Sequence, residues 1–147
     1  MRNLTNTSAS SLLATNRFFL GIIFLMTGIM KIGFEQFGSA WGIQLQEAQI
    51  PFSETIYWLV PVLEVILGGL LLIGIYSRVS AALILPIMLV AIYVHIVVEN
   101  PAAFPAQPQI PIMPAIVIMM SLFTLIKGAG NWSWDLRVSN CPNHKHN

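Results

Sequence analysis

The sequence has few charged residues and a single cysteine. Charged residues make up 9% of the 147 residues and hydrophobic residues 56%, whereas roughly a quarter of the residues in soluble domains are charged. This composition excludes an ordinary soluble domain and predicts an integral membrane protein in contact with the lipid bilayer. The length leaves room for one domain, and the net charge of +1 gives no sign of nucleic-acid binding.

The cysteine content limits thiol chemistry. Cys141 has no partner within the chain, and a CxxC motif is absent, so a thiol relay would need a second sulfur from another protein. The tail places Cys141, His144 and His146 within six residues, and these residue types bind soft metals. The tail is short and lacks a fourth ligand, so we predict no metal site there.

Other cofactor motifs are also missing. The sequence contains no glycine-rich phosphate loop, no HExxH motif and no set of cysteines for an iron–sulfur cluster. Only one histidine, His95, lies in an apolar segment, whereas a bis-histidine haem needs two. No haem, flavin, iron–sulfur or metal site is evident. Redox chemistry would therefore need a diffusible quinone or a partner that carries the cofactor.

Four apolar segments are long enough to cross a bilayer, for which a helix needs about 20 residues. The alternating pattern of a membrane barrel is absent. We therefore predict an all-α, antiparallel bundle of four transmembrane helices at about 12–32, 55–76, 79–98 and 110–126.

The first segment follows a polar, mildly basic start, as in a signal peptide. Because the nearest small-residue site, 38–40, lies far beyond it, we expect the segment to remain as a helix.

The connections between these segments differ in character. The first, 33–54, carries several aromatic residues, which are typical of an interfacial segment at headgroup depth. The second is only "YSR" at 76–78, which predicts an antiparallel hairpin. The third, 99–114, has five prolines and is expected to be extended chain.

Basic residues predict the orientation. With four spans, both termini and the 76–78 turn lie on one side, and an excess of Lys and Arg marks the cytoplasm. We therefore predict a protein of the inner (cytoplasmic) membrane with both termini in the cytoplasm. The basic residues on that side are Arg2, Arg17, Arg78, Lys127, Arg137 and Lys145, and the other side has Lys31 alone.

One carboxylate, Glu64, lies inside the second apolar segment. A charge there costs several kcal/mol, so the group should face the bundle interior and be paired or protonated. Helical spacing in the first segment places Arg17, Gly21, Gly28 and Lys31 on one stripe, where small residues allow close packing. We predict Arg17 as the partner of Glu64, with Lys31 as the second choice.

His95 and Glu99 lie four residues apart on one helical face. Together with Lys31 and Glu64 they are expected to line a polar pocket open to the outer side. Such a pocket suits a lipophilic ligand with a polar head, or a proton route. Two alternatives stay open: an Arg17–Glu64 pair could serve only helix packing, and His95 could be an interfacial hydrogen-bonding residue.

Three stretches carry small and polar residues in a distinctive order. Residues 16–34 read NRFFLGIIFLMTGIMKIGF, residues 50–78 read IPFSETIYWLVPVLEVILGGLLLIGIYSR, and residues 127–137 read KGAGNWSWDLR. In this order the chain resembles the DoxX family over about 16–137. The last stretch is similar to the family's GAG-x-x-S-x-D signature through Gly128, Ala129, Gly130, Ser133 and Asp135. It departs from the family pattern at Asn131 and Trp134, where a basic residue and leucine are usual.

The resemblance implies a four-helix membrane domain, here 1–137, followed by a polar tail, 138–147. It also implies a quinone-linked redox subunit, since the family name comes from a membrane subunit of a thiosulfate:quinone oxidoreductase. Glu64 and His95 would then be the catalytic residues, with Arg17, Lys31 and Glu99 binding ligand or pairing charge. The alternative is a non-catalytic accessory subunit that assembles with other membrane proteins or with itself. Solute transport has less support, because no inverted repeat is present.

Overall fold

The computed structural model describes residues 10–105, 110–128, 130–131 and 133–135. These residues contain helices and no strand, which confirms the predicted all-α fold. The helices are α1 Ser11–Gly33, α2 Glu35–Glu47, α3 Ser53–Ile73, α4 Ser77–Val97 and α5 Ile112–Lys127, with a 3₁₀ turn at Pro101–Ala103.

Three helices, α1, α3 and α4, are long and apolar enough to cross a membrane. α5 is apolar but has 16 residues, or about 24 Å of helix, against a hydrocarbon core of about 30 Å. α1 packs mainly on α3, and α4 mainly on α5. The chain is therefore a multi-pass membrane protein with three long spans and a shorter fourth helix.

The turn between α3 and α4 lies slightly earlier than the predicted 76–78. Gly74 ends α3 in the left-handed region at φ 78°, as is common for the residue after a helix. Tyr76 is also left-handed, at φ 49°, and precedes the first residue of α4. The hairpin is thus formed by 74–76, and Arg78 belongs to α4.

The connection after α1 is a helix of 13 residues, α2. Its inner face buries Trp41 and Leu45, while Phe34 before it and Phe52 after it are exposed. The aromatic residues predicted an interfacial segment, and the structure gives this segment a helical form. Its depth in the membrane stays a prediction.

The described part of the proline-rich connection is extended at Asn100 but not throughout, which corrects part of the prediction. Pro101 begins a 3₁₀ turn, and the Asn100 side chain caps it by accepting a hydrogen bond from Ala102 N at 3.0 Å. Proline suits this position because it has no N–H to leave unpaired. Residues 106–109 lie outside the described part.

Glycines set the register between α1 and α3. A Cβ at Gly28 would lie 2.7 Å from the Pro61 carbonyl, and one at Gly68 would lie 2.6 Å from Leu25 N. Backbone atoms of the two helices therefore approach each other at two levels, as small residues permit in membrane helix pairs. This fixes which residues of α1 and α3 share a level.

The bundle has an apolar layer across its middle, to which α1, α3, α4 and α5 all contribute. On α1 and α3 this layer lies between the polar residues at one end and those at the other. The two ends are called here the Lys31 end and the Arg17 end. The apolar layer consists of Leu20, Phe24, Leu67, Leu71, Ile84 and Val117.

Candidate ligand site and the polar residues of the bundle

Glu64 is paired with Lys31, not with Arg17. Lys31 Nζ lies 2.7 Å from Glu64 Oε1, and the Glu64 side chain is only 3% exposed. The preferred prediction of Arg17 was wrong and the second choice was correct. The register explains this, because Gly28 packs at Pro61 and thereby brings the last turn of α1 level with Glu64.

Arg17 lies at the opposite end, where α3 finishes. It is 3% exposed, and its guanidinium donates hydrogen bonds to the Leu71 carbonyl and, at 3.1 Å, to the Leu72 carbonyl. The last carbonyls of a helix have no partner within the helix and carry partial negative charge. Arg17 satisfies two of them, and the Asp135 carboxylate also attracts its charge.

Asp135 caps α4 from a distant part of the chain. Its two carboxylate oxygens each accept a hydrogen bond of 2.9 Å, from Tyr76 N and Ser77 N, and its own N–H donates to the Gly74 carbonyl at 3.1 Å. Side-chain oxygens normally cap the helix that follows them. Asp135 instead caps the start of α4, a helix that precedes it in the chain.

The rest of the signature segment packs against α1 and the hairpin. Gly128 and Gly130 have φ values of 92° and 72°, and Ser133 Oγ donates to the Gly130 carbonyl at 2.9 Å. A Cβ at Gly130 would lie 2.5 Å from Ala14 N. The segment therefore ties α5 to the beginning of α1 and to the α3–α4 turn. Ala129 lies outside the described residues.

Replacing Asp135 with alanine should lower stability by about 1–2 kcal/mol, the usual range for loss of a helix cap. Two backbone N–H groups at the start of α4 lose their acceptor, and Arg17 loses a favourable charge. Thermal unfolding in detergent, followed by circular dichroism, measures the change. Glu99→Ala is the matched control because Glu99 is exposed. Equal unfolding temperatures for the two variants would contradict the capping role.

His95 and Glu99 have different surroundings. His95 is 8% exposed, its Nδ1 lies 2.8 Å from the Ala91 carbonyl, and its ring packs 4.4 Å from the Phe104 ring. Glu99 is exposed. His95 therefore hydrogen-bonds within its own helix, with Phe104 as its ring neighbour.

A cavity of about 360 Å³ lies at the Lys31 end, between α1, α2, the 3₁₀ turn region and the first turn of α5. Its volume falls in the range of about 300–1,000 Å³ usual for small-molecule sites. Its lining residues are Thr27, Met30, Lys31, Phe37, Ala40, Trp41, Gln44, Ala103, Phe104, Pro105 and Met113.

Lys31 is the one predicted pocket residue on the wall of this cavity. Its ammonium lies 4.4 Å from the centre of the Trp41 ring, a cation–π distance, while Glu64 binds it from behind. His95 lies behind Phe104, which does line the cavity. Of the four predicted pocket residues, only Lys31 lines the cavity. Glu64 and His95 each contact a lining residue, and Glu99 is exposed.

Sequence reasoning missed Trp41, Gln44 and Phe104 as lining residues. Gln44 donates its side-chain N–H to the Ala103 carbonyl, which joins α2 to the 3₁₀ turn. The aromatic residues in the first connection were the available signal for Trp41. No local sequence pattern identified Gln44 or Phe104 as a lining residue.

A second depression, between α2 and the start of α3, is lined by polar residues together with Tyr57 and Trp58. None of the predicted site residues lines it. Within the described ranges, no group of three or more His, Cys, Asp or Glu side chains could hold a metal ion. The tail with Cys141, His144 and His146 lies outside those ranges.

Comparison with known proteins gives one family. The family model described as DoxX matches residues 12–96, which is more than half of the chain and contains Arg17, Lys31, Glu64 and His95. The match ends before the signature segment. No curated protein and no solved structure matches the chain.

Proposed function

This chain belongs to the DoxX family, and we propose that it is a quinone-linked redox subunit that binds the quinone head in the cavity beside Lys31. The observation that carries the proposal is an ion pair between Lys31 and the buried carboxylate of Glu64, at the edge of an apolar cavity inside a membrane bundle. Ionisable residues within membrane helices are costly and are found mainly at functional sites.

The cavity fits a quinone head by shape and by chemistry. Phe37, Trp41 and Phe104 provide aromatic surface for a planar ring, and Met30 is a flexible apolar neighbour. The Lys31 ammonium has three N–H donors, of which one is directed to Glu64. A ring carbonyl can accept from another.

Glu64 and His95 are the proposed proton-handling residues. Glu64 Oε2 is buried without a hydrogen-bond partner, so the carboxylate has capacity to accept a further hydrogen bond. When His95 Nδ1 donates to the Ala91 carbonyl, Nε2 is the basic nitrogen. Reduction of a quinone to a quinol takes up two electrons and two protons, and we assign the electrons to a partner redox protein.

The proposed setting is the inner (cytoplasmic) membrane with both termini in the cytoplasm. In the antiparallel bundle, Arg17, Arg78 and Lys127 lie at one end and Lys31 at the other. This distribution supports a cytoplasmic Arg17 end. Arg2, Arg137 and Lys145 lie outside the described residues. The cavity would then open near the outer side.

Glu64→Gln tests the function. We expect the wild-type protein, gently released from its own membrane, to carry a quinone-sized mass in native mass spectrometry. We expect Glu64→Gln to lose quinone-dependent electron transfer with its membrane partners, because the proton-accepting carboxylate is gone. Glu99→Gln, at an exposed carboxylate, is the matched control. Unchanged electron transfer in a folded Glu64→Gln protein would contradict the proposal.

The second candidate is a non-catalytic accessory subunit. The polar contacts at the Arg17 end favour it, because Arg17 and Asp135 tie α1, α3, α4 and the signature segment together without lining the cavity. The pair first assigned to packing, Arg17 with Glu64, does not form. Larger protein adducts without a quinone in the same mass spectra would support this candidate.

A further inference from the structure

We propose that the cavity at the Lys31 end selects an uncharged ring head over an anionic one, and that Glu64 sets this selectivity by neutralising Lys31. This inference deepens the proposed function and rests on it. It concerns the charge of the ligand head, not the reaction.

The charge of Lys31 at the cavity wall is balanced by Glu64. Among the described residues that line the cavity, Lys31 is the only charged one, and by itself it would attract an anionic head such as a carboxylate. Glu64 Oε1 lies 2.7 Å behind its ammonium, on a side chain only 3% exposed. The pair is neutral as a unit, so the cavity has donors without net charge.

An anionic head is disfavoured by what it would do to this pair. Binding a carboxylate to Lys31 would bring two negative groups to one ammonium in a low-dielectric site. Weakening the Lys31–Glu64 bond would leave Glu64 as a buried, uncompensated charge, which is strongly destabilising. A neutral carbonyl can accept a hydrogen bond from Lys31 while the ion pair stays intact. Repulsion of the wrong ligand is a common source of specificity.

The remaining wall residues favour the same ligand class. Gln44 donates one amide N–H to the Ala103 carbonyl, and its amide is uncharged, so it does not compensate the charge of an anion. Trp41 lies under the Lys31 ammonium and fixes where the donor lies. The other lining side chains are apolar or aromatic except Thr27. The geometry therefore suits a flat, neutral head with a carbonyl acceptor.

Two naphthoquinones of nearly equal size test the selectivity. 2-Methyl-1,4-naphthoquinone is neutral, and 2-hydroxy-1,4-naphthoquinone is an anion at neutral pH. Their dissociation constants for the detergent-solubilised protein can be measured by quenching of tryptophan fluorescence. We expect the wild-type protein to bind the neutral compound at least about 10-fold more tightly, or about 1.4 kcal/mol.

Two variants separate the role of charge from a loss of folding. Glu64→Gln leaves Lys31 uncompensated and should reverse the preference towards the anion. The double variant Lys31→Gln/Glu64→Gln is neutral again and should not prefer the anion.

Two tryptophan variants test where the ligand lies. Trp41→Phe should remove most of the quenching if the ligand lies in the cavity, whereas Trp58→Phe, at an exposed side chain outside the cavity, should retain it.

The outcomes distinguish this inference from the function on which it rests. Equal affinity of the wild-type protein for the two compounds, or the same preference in the wild-type protein and Glu64→Gln, overturns the selectivity and leaves quinone binding in place. Failure of the wild-type protein to bind either compound overturns both. Quenching that survives in Trp41→Phe moves the ligand out of the cavity and also overturns the inference.

Discussion

Gly68→Ala is expected to destabilise the protein by about 3 kcal/mol, near the upper end of the usual range for overpacking. A Cβ at this position would lie 2.6 Å from Leu25 N, 2.9 Å from the Gly21 carbonyl and 3.0 Å from Leu25 Cα. All three atoms belong to the α1 backbone, which cannot give way as a flexible side chain can. The helices would have to separate, and the contacts beside Gly68 would be lost.

Gly69→Ala is the matched control, one residue along the same helix. A Cβ there would meet no atom within 4 Å, and alanine is favoured over glycine in a helix by up to about 1 kcal/mol. We therefore expect no loss of stability. Reversible unfolding in mixed micelles with increasing SDS measures both variants. Similar losses for the two alanines would show that the α1–α3 contact is not as close as described.

Lys31→Met is expected to have the largest effect, a loss of about 3–5 kcal/mol, as when one partner of a buried pair is removed. Glu64, which is only 3% exposed, would remain without its counter-charge. Its Oε2 already lacks a hydrogen-bond partner, so no described neighbour compensates for the loss. The carboxyl group would have to take up a proton or draw water into the bundle.

The double variant Lys31→Met/Glu64→Leu should recover much of this loss, because apolar residues of similar volume often replace buried pairs without cost. A double-mutant cycle with the two single variants gives the coupling energy. Lys127→Met, at an exposed position, controls for the removal of a lysine. A stable Lys31→Met protein, or a double variant no better than Lys31→Met, would contradict a paired Glu64.

The helices could be predicted from the sequence because they depend on local composition. A run of about 20 apolar residues in a membrane forms a helix because a helix satisfies the backbone N–H and C=O groups within the segment itself. The predicted and observed bounds of the four apolar helices differ by three residues or fewer. Glu64 was predicted to face inward for the same reason, since lipid cannot solvate a carboxylate. These conclusions need no knowledge of which helices are neighbours.

The partner of Glu64 could not be chosen from local patterns. Arg17 and Lys31 share one helical stripe, and the choice between them depends on the sliding register of α1 against α3. Close backbone approach at Gly28 and Gly68 sets that register. The spacing of small residues predicted close packing, but it did not specify which level of one helix meets which level of the other.

The cavity was harder to predict than the partner of Glu64, because connecting segments form much of its wall. Gln44 and Phe104 are brought together by α2 and the 3₁₀ turn, and the sequence predicted no helix in either segment. Asp135 poses the same problem at the other end, where it caps a helix that starts 58 residues earlier. Contacts over such separations leave no periodic pattern in the sequence.

The apolar layer has a consequence for the electrical work done in this protein. A charge that crosses a whole membrane gains or loses about 2.3 kcal/mol for every 100 mV of membrane potential. Leu20, Phe24 and the other side chains of the layer separate Lys31 and Glu64 from the Arg17 end and form a dielectric barrier between the two polar regions. A proton that reaches Glu64 from the Lys31 end crosses only part of the membrane field. Glu64 is the twelfth of the 21 residues of α3, so such a proton would move along about half the length of that helix, and the work of the membrane potential would be divided between the two polar regions.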